Sequence, residues 1–301
     1  MTRIIYVNGR YLPYHDAKVH VEDRGFQLAD AVYEVIEVSD NSLVDATRHL
    51  TRLWRSLSEL SISPPMSEPA LCHVMGQTIR RNRVRNGLVY LQVSRGESPR
   101  DFLFPDPPVP PTLVCLARAT IPAQVDQRAE TGIHIITMPE TRWKRCDIKT
   151  VMLLPACLAK QQAHAQSASE AWFVDAEGLI TEGASSNAWI VDRSGRLLTR
   201  PLDNTILPGI TRRTVMDTAA SLGLVVEESP FTVAEALDAA EAFITSATNT
   251  VMPVIMIDGQ RISSGTPGPL CRQLRRSFAR VAEHSPVGYV PSKLENQAFA
   301  P

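Results

Sequence analysis

One lysine stands where an amine could do chemistry. The segment RWKRCDIKTVMLLP (142–155) sets Lys149 between Ile148 and a mostly apolar run, although an ammonium group is costly to bury. The chain holds five lysines. Lys18 and Lys293 lie in polar stretches, Lys144 is followed by another cation, and Lys160 falls on the polar side of an amphipathic helix. Lys149 alone borders an apolar region. Desolvation and neighbouring cations make an amine nucleophilic near neutrality, able to attack carbonyl carbon. On local sequence alone, a lysine that snorkels to the surface or pairs with Asp147 is the more common arrangement.

A second group of residues changes that balance. LITEGASSNAWIV (179–191) carries Glu182 at a strand end, beside Gly183 and a run of hydroxyls. ILPGITRRTVMD (206–217) delivers Gly209, Ile210 and Thr211 to the first turn of a helix, whose free backbone N–H groups suit an anion. ITSATNT (244–250) ends a strand with further hydroxyls. An amine, an anion cradle and a carboxylate are the parts that pyridoxal 5'-phosphate (PLP) requires, as carbonyl partner, phosphate holder and pyridinium partner. Each is common singly. Their order along the chain is more informative.

Composition bounds the alternatives. With 301 residues and a net charge of −1, the chain has the length for two domains and lacks the basic excess of a nucleic-acid or anionic-membrane surface. The cluster IRRNRVRNG (79–87) reads as cations in the last turn of a helix capped by Gly87. No apolar run approaches a membrane span, and MTRIIYVNGRYLP begins as a strand rather than as a signal peptide. The five cysteines (72, 115, 146, 157, 271) are odd in number and scattered without CxxC spacing. Neither a metal site nor a disulfide framework is expected, and a reducing cytoplasm is. Cys146 has no local histidine partner and reads as packing.

The elements that must position these groups follow from pattern. RIIYVNGRYLP is a hairpin turning at Asn8-Gly9, and 30–46 continues as strands. Helices are expected over 47–60 and 67–87, and strands over 88–96 and 111–119, which flank the proline-rich loop FPDPPVPP. Residues 1–119 thus form a small α+β domain. The polar stretch 120–131 reads as a linker. A larger, β-rich domain follows over 132–283, with strands at IHIITMP, EAWFVD, LITEG, SNAWIVD and EAFITSA, helices at 151–167 and 211–223, and a hairpin around Asp258-Gly259. Residues 284–301 read as a loosely held tail.

Taken together, the chain resembles the fold-type IV PLP enzymes, and among them most of all the D-amino-acid aminotransferases. The resemblance spans about residues 3–280 and rests on EDRGFQLADAVYEV, RLW, QVSRGESPR, RCDIK, TEGASSN, LPGITR and TSATNTVMPVI. It implies a two-domain fold, PLP as cofactor, and transfer of an amino group from a D-amino acid to a 2-oxo acid. Lys149 in RCDIK matches the Schiff-base lysine that also shuttles the substrate proton. Glu182 matches the carboxylate at the pyridine nitrogen, and Leu207 the apolar residue packed on the ring. Arg52, Ile210, Thr211 and Thr248 match the phosphate contacts. Tyr33 matches a substrate-side tyrosine, and Arg100 belongs to a loop that traps the substrate carboxylate.

In relatives that loop reaches into the neighbouring subunit's site, which implies a homodimer. Here the chain departs from the pattern. Arg100-Asp101-Phe102 stands where the D-amino-acid enzymes carry Arg-x-His. Phe102 removes a donor and adds apolar surface. An inward Asp101 would repel the carboxylate or tie up Arg100, and Arg142 or Arg145 could then take over the recognition. Pro155 replaces a usual glycine, at a position suited to a first helical turn. Other reactions on this scaffold are (R)-selective amine transamination and an aminodeoxychorismate lyase-like activity. A cofactor-binding or structural protein without turnover is the reading from another class.

Overall fold

The first hairpin forms as its turn dictates. Strands β1 (Ile4–Val7) and β2 (Arg10–Pro13) pair antiparallel around Asn8 and Gly9, whose φ values of 41° and 88° are the left-handed backbone that a two-residue turn needs. The computed structural model describes residues 3–288, and these divide into two units. One comprises residues 3–122, Ile148–Met152 and residues 283–288. The other comprises Ala123–Asp147 and Leu153–Ala282.

In the first unit, helix α1 (Arg24–Leu28) leads into the long strand β3 (Ala31–Ser39). Then come β4 (Ser42–Val44), α2 (Ala46–Glu59), α3 (Glu68–Arg81), β5 (Gly87–Ser94) and β6 (Thr112–Ala119). Strand alternation decides which side chains go inward. Val32, Ile36 and Val38 of β3 are buried with Leu50, Leu53 and Leu57 of α2 and with Leu71, Met75 and Ile79 of α3. The same alternation places Glu34 in that buried row and Tyr33 on the opposite face.

The second unit is built on a mixed sheet. Its elements are α4 (Pro122–Thr131), β7 (Ile133–Pro139), α5 (Leu154–Ala165), β8 (Glu170–Val174), β9 (Ile180–Gly183), β10 (Asn187–Val191) and β11 (Leu197–Thr199). They continue with α6 (Ile210–Ser221), β12 (Val226–Glu228), α7 (Val233–Asp238), β13 (Glu241–Ser246), β14 (Thr250–Ile257), β15 (Gln260–Arg261) and α8 (Pro269–Val281). The strand order is β12-β11-β10-β13-β14-β7-β8-β9, with β15 beside β14. Strand β7 lies parallel to both neighbours, and β13 antiparallel to both of its own. Trp172 and Phe231 meet edge to face in its core, with Ile135, Ile180 and Ile244 around them.

Four sequence expectations change. The helix expected over 67–87 ends at Arg81 with Asn82 as its cap, Arg83 turns into the left-handed region (φ 53°), and Gly87 begins β5 instead of capping the helix. The stretch read as a linker is mostly helix α4. Pro122 is tolerated in a first helical turn, and the thin apolar stripe of Val125 and Ala129 that docks the helix is masked by polar neighbours. The helix expected from 151 begins at Leu154, with Pro155 in its first turn. Residues 148–152 are irregular instead and run beside β3, where the Val151 N–H donates to the Ala31 carbonyl at 3.1 Å. In the segment read as a tail, strand β16 (His284–Pro286) pairs antiparallel with β4. Ladder hydrogen bonds suffice to hold an edge strand that has no hydrophobic signature. Residues 289–301 lie outside the described residues.

Candidate active site

The irregular segment 148–152 determines where the lysine sits. The Tyr33 N–H donates to the Lys149 carbonyl at 3.0 Å, and Thr150 bridges to Val32, so the lysine is pinned to the start of β3. Its own N–H lies 3.4 Å from the Ser56 hydroxyl on α2. Lys149 is half-buried, and its Nζ stands 4.3 Å from the centroid of the Tyr33 ring, which in turn stacks on Tyr90. Asp147 pairs with Arg145 at 2.9 Å. The surface pairing of Lys149 with Asp147 is therefore not realised, and among the described residues Lys149 makes no ion pair.

One turn of α2 before Ser56, Arg52 is almost fully buried. Its Nε and Nη2 donate to the two carboxylate oxygens of Glu34 at 2.7 and 2.8 Å. His49, three residues earlier on the same helix face, meets Glu34 Oε2 at 2.7 Å through Nδ1. Glu34 thereby fixes the plane of the guanidinium. Burial alone would raise the Glu34 carboxyl, but Arg52 and His49 overcome it and hold the group at about 2. Burial also lowers the His49 imidazole, against the pull of Glu34.

Both groups bind protons less readily folded than unfolded, so their stabilisation is complete at neutrality and is lost on acidification. For His49 the loss begins as pH falls through the unfolded value near 6.5, and for Glu34 it runs from 4.5 down to about 2. Chemical denaturation between pH 7 and pH 3 should show a steep fall in stability that Glu34→Gln flattens. Arg52→Ala, which leaves the carboxylate buried without its bidentate partner, should cost about 3–5 kcal/mol at pH 7.

In the second unit, Glu182 ends β9 and is 4% exposed. Arg142 Nη1 donates to its Oε1 at 2.5 Å, Asn187 Nδ2 to its Oε2 at 2.9 Å, and the Leu207 N–H reaches both oxygens at 3.2 Å. Burial pushes the Glu182 carboxyl up, while Arg142 and the Leu207 N–H pull it down less effectively. Arg142 is itself raised: burial works against its charge, but Glu182 and Glu140 outweigh burial. Arg142 therefore stays cationic. Asn187 also donates to the Leu207 carbonyl at 3.0 Å, which ties the carboxylate to the turn leading into α6.

That turn ends at Gly209, the N-cap of α6, where no side chain caps the helix. A Cβ on Gly209 would sit 1.9 Å from Asn187 Oδ1, so only glycine permits this approach. The N–H groups of Ile210 and Thr211 thus open the helix without a side-chain acceptor, the arrangement an anionic group occupies. Thr248 is exposed in the turn after β13, within 3.3 Å of the Ser246 hydroxyl.

The structure brings Glu182, Leu207, Ile210 and Thr211 together in one unit, and Tyr33, Arg52 and Lys149 along β3 and α2 in the other. Arg100 and Phe102 stand apart on the exposed loop between β5 and β6, with Phe102 82% exposed and the guanidinium 5.7 Å from its ring. None of the sequence-derived site residues lines the cleft of about 310 Å³ on the first unit, which Phe26, Gln92, Ser94 and Val151 help to form. Arg142 and Arg145, considered as alternative cations for a substrate carboxylate, are both engaged by protein carboxylates. Sequence reasoning did not single out Glu34, His49, Glu140 or Asn187. Glu34 carried a signal: an acid in the buried row of an alternating strand, with His49 and Arg52 at i, i+3 on the following helix.

One unit thus carries a buried carboxylate tied to an uncapped, glycine-led helix, and the other an amine that forms no ion pair among the described residues. These are the parts that PLP chemistry on a class IV scaffold calls for. Residues 31–257 match the family amino-transferase class IV, and the chain belongs to it. It is a PLP-dependent aminotransferase. Similar proteins include the D-alanine aminotransferase of Staphylococcus haemolyticus, 36% identical over 94% of this chain and 99% of that protein. The D-alanine aminotransferase of Bacillus licheniformis is 38% identical over 90% and 94%. Among solved structures, the T.th. branched-chain amino acid aminotransferase with pyridoxamine 5'-phosphate superimposes with a TM-score of 0.85. It is 26% identical, covering 93% of this chain and 94% of that one.

Proposed function

We propose that the enzyme transfers the amino group of a D-amino acid to a 2-oxo acid, as a homodimer in the cytoplasm. The D-alanine aminotransferase relatives support the donor class. The observation that carries the reading is the conformation of the Arg100 loop. Asp101 turns its carboxylate back to its own loop, where Oδ1 accepts from the Leu103 N–H at 3.1 Å. Among the described residues it forms no ion pair with Arg100. The guanidinium thus keeps its charge available for a substrate carboxylate, despite the loss of the family histidine.

Lys149 would bind the cofactor covalently, and Glu182 would face its pyridine nitrogen with Leu207 against the ring. Arg52, Thr248 and the N–H groups of Ile210 and Thr211 would hold the phosphate. Bound there, PLP supplies an electron sink for the pair left when a proton leaves the substrate Cα. Lys149 Nζ would take that proton and later give it back, which requires a neutral amine. The Tyr33 ring beneath Nζ orients the amine. Arg142 and Asn187 hold the Glu182 carboxylate in place, and Glu34 does the same for Arg52.

Phe102 favours a second reading, in which an apolar pocket accepts an (R)-amine lacking a carboxylate. A half-reaction survey separates the two. With the holoenzyme, D-alanine should bleach the cofactor's visible band far faster than L-alanine or (R)-1-phenylethylamine. Faster bleaching by the amine would transfer the assignment to amine transamination.

A further inference from the structure

The apolar loop that carries Arg100 is bulky, exposed and poorly packed by its own side chains. Phe102 and Leu103 are 82% and 76% exposed. Its backbone is nevertheless gripped from below. Arg24, on the first turn of α1, has a side chain only 4% exposed. Its Nη1 donates to the carbonyls of Asp101 at 2.7 Å and Leu103 at 3.1 Å, while its Nε donates to Asp30 Oδ2 at 2.8 Å. Arg95 grips the same aspartate from the other side, at 2.7 and 3.0 Å, and anchors to the carbonyls of Leu60 and Ser61. Its Cζ lies 3.5 Å from the centroid of the Phe104 ring. The loop's stem is paired as well: the Arg24 N–H donates to the Gly96 carbonyl at 2.9 Å, and Asp23 bridges to Glu97.

Two buried guanidinium groups sharing one carboxylate are an unfavourable arrangement unless their remaining N–H groups are used. Here Arg24 directs them to the carbonyls of a solvent-exposed turn, and Arg95 directs its own to Leu60 and Ser61 while its guanidinium plane lies against Phe104. That turn follows Arg100 directly. We propose that Arg24, held by Asp30 and Arg95, is a positioning residue that sets the Arg100–Phe102 turn, and through it the grip on the substrate carboxylate. The inference rests on the reading that Arg100 contacts that carboxylate.

The experiment compares holoenzymes carrying Arg24→Met, Arg100→Ala and both changes. Hydrogen exchange of the peptide spanning 101–104 and steady-state kinetics with D-alanine are the two readouts. Arg24→Met should speed exchange in that peptide and raise KM about tenfold with kcat nearly unchanged and cofactor absorbance intact. Arg24→Lys, which keeps the charge but not the fork, should fall between. In the Arg100→Ala background, Arg24→Met should raise KM no further, because it acts through the residue already lost. Should Arg24→Met fold poorly, Phe104→Ala removes only the exposed ring from Arg95, and the same paired rise in exchange and KM is expected. Unchanged exchange, or KM effects that multiply in the double variant, would overturn the inference. If Arg100→Ala alone left KM at the wild-type value, the reading of Arg100 itself would fall and the inference with it.

Discussion

Lys149→Ala should lose turnover by at least about 10⁴-fold, because in the proposed reaction the residue would both bond the cofactor and move the Cα proton. The loss should come with an intact fold. Lys149 is held through its backbone, by the Tyr33 N–H and the Ser56 hydroxyl, and among the described residues its side chain makes no ion pair whose removal would strand a charge. Removing the amine takes away only the contact of Nζ with the Tyr33 ring. Far-ultraviolet circular dichroism and the denaturation midpoint should match the wild type, and transamination of D-alanine should be absent. A variant that turned over at near-normal rate would deny the lysine its role.

Glu182→Gln should produce the second-largest effect. The amide is nearly isosteric and can still meet Asn187 or the Leu207 N–H, and Arg142 keeps Glu140 as a partner at 2.6 Å. The fold should survive. What disappears is the negative charge that, in the proposed site, would face the cofactor's ring nitrogen. Without it the proton on that nitrogen is less favoured and the electron sink is weaker, so kcat should fall about 10²–10³-fold. KM should change little, since the proposal gives the substrate carboxylate to Arg100 rather than to Glu182. A kcat within about threefold of wild type would contradict the assignment of Glu182.

How much of this was legible beforehand depended on whether the signal was local. The Asn8-Gly9 hairpin, the strand alternation of 31–39 and the amphipathic helix α2 follow from turn chemistry and period, and they formed as expected; α3 formed too, but stopped at Arg81 instead of running to Gly87. Helix α8 and strand β16 were not anticipated: α8 opens with a proline in a region of mixed signals, and an edge strand needs no apolar pattern. The motif residues Lys149, Glu182 and Arg52 could be named from sequence because each matched a family segment. Their partners could not. Glu34 reaches Arg52 across 18 positions, and Arg142 reaches Glu182 across 40. Those distances are closed by tertiary packing, which periodicity does not reveal. The loop's departure at Phe102 was plain in the sequence, but only the structure turned Asp101 away from Arg100.

The most direct test is covalent. Borohydride reduction of the enzyme with PLP, followed by proteolysis and mass mapping, should put the pyridoxyl label on the peptide containing Lys149 and on no other lysine. Lys149→Ala treated identically should carry none. A label on any of the other four lysines, or no label on the wild-type enzyme, would contradict the assignment of this chain's chemistry to that amine.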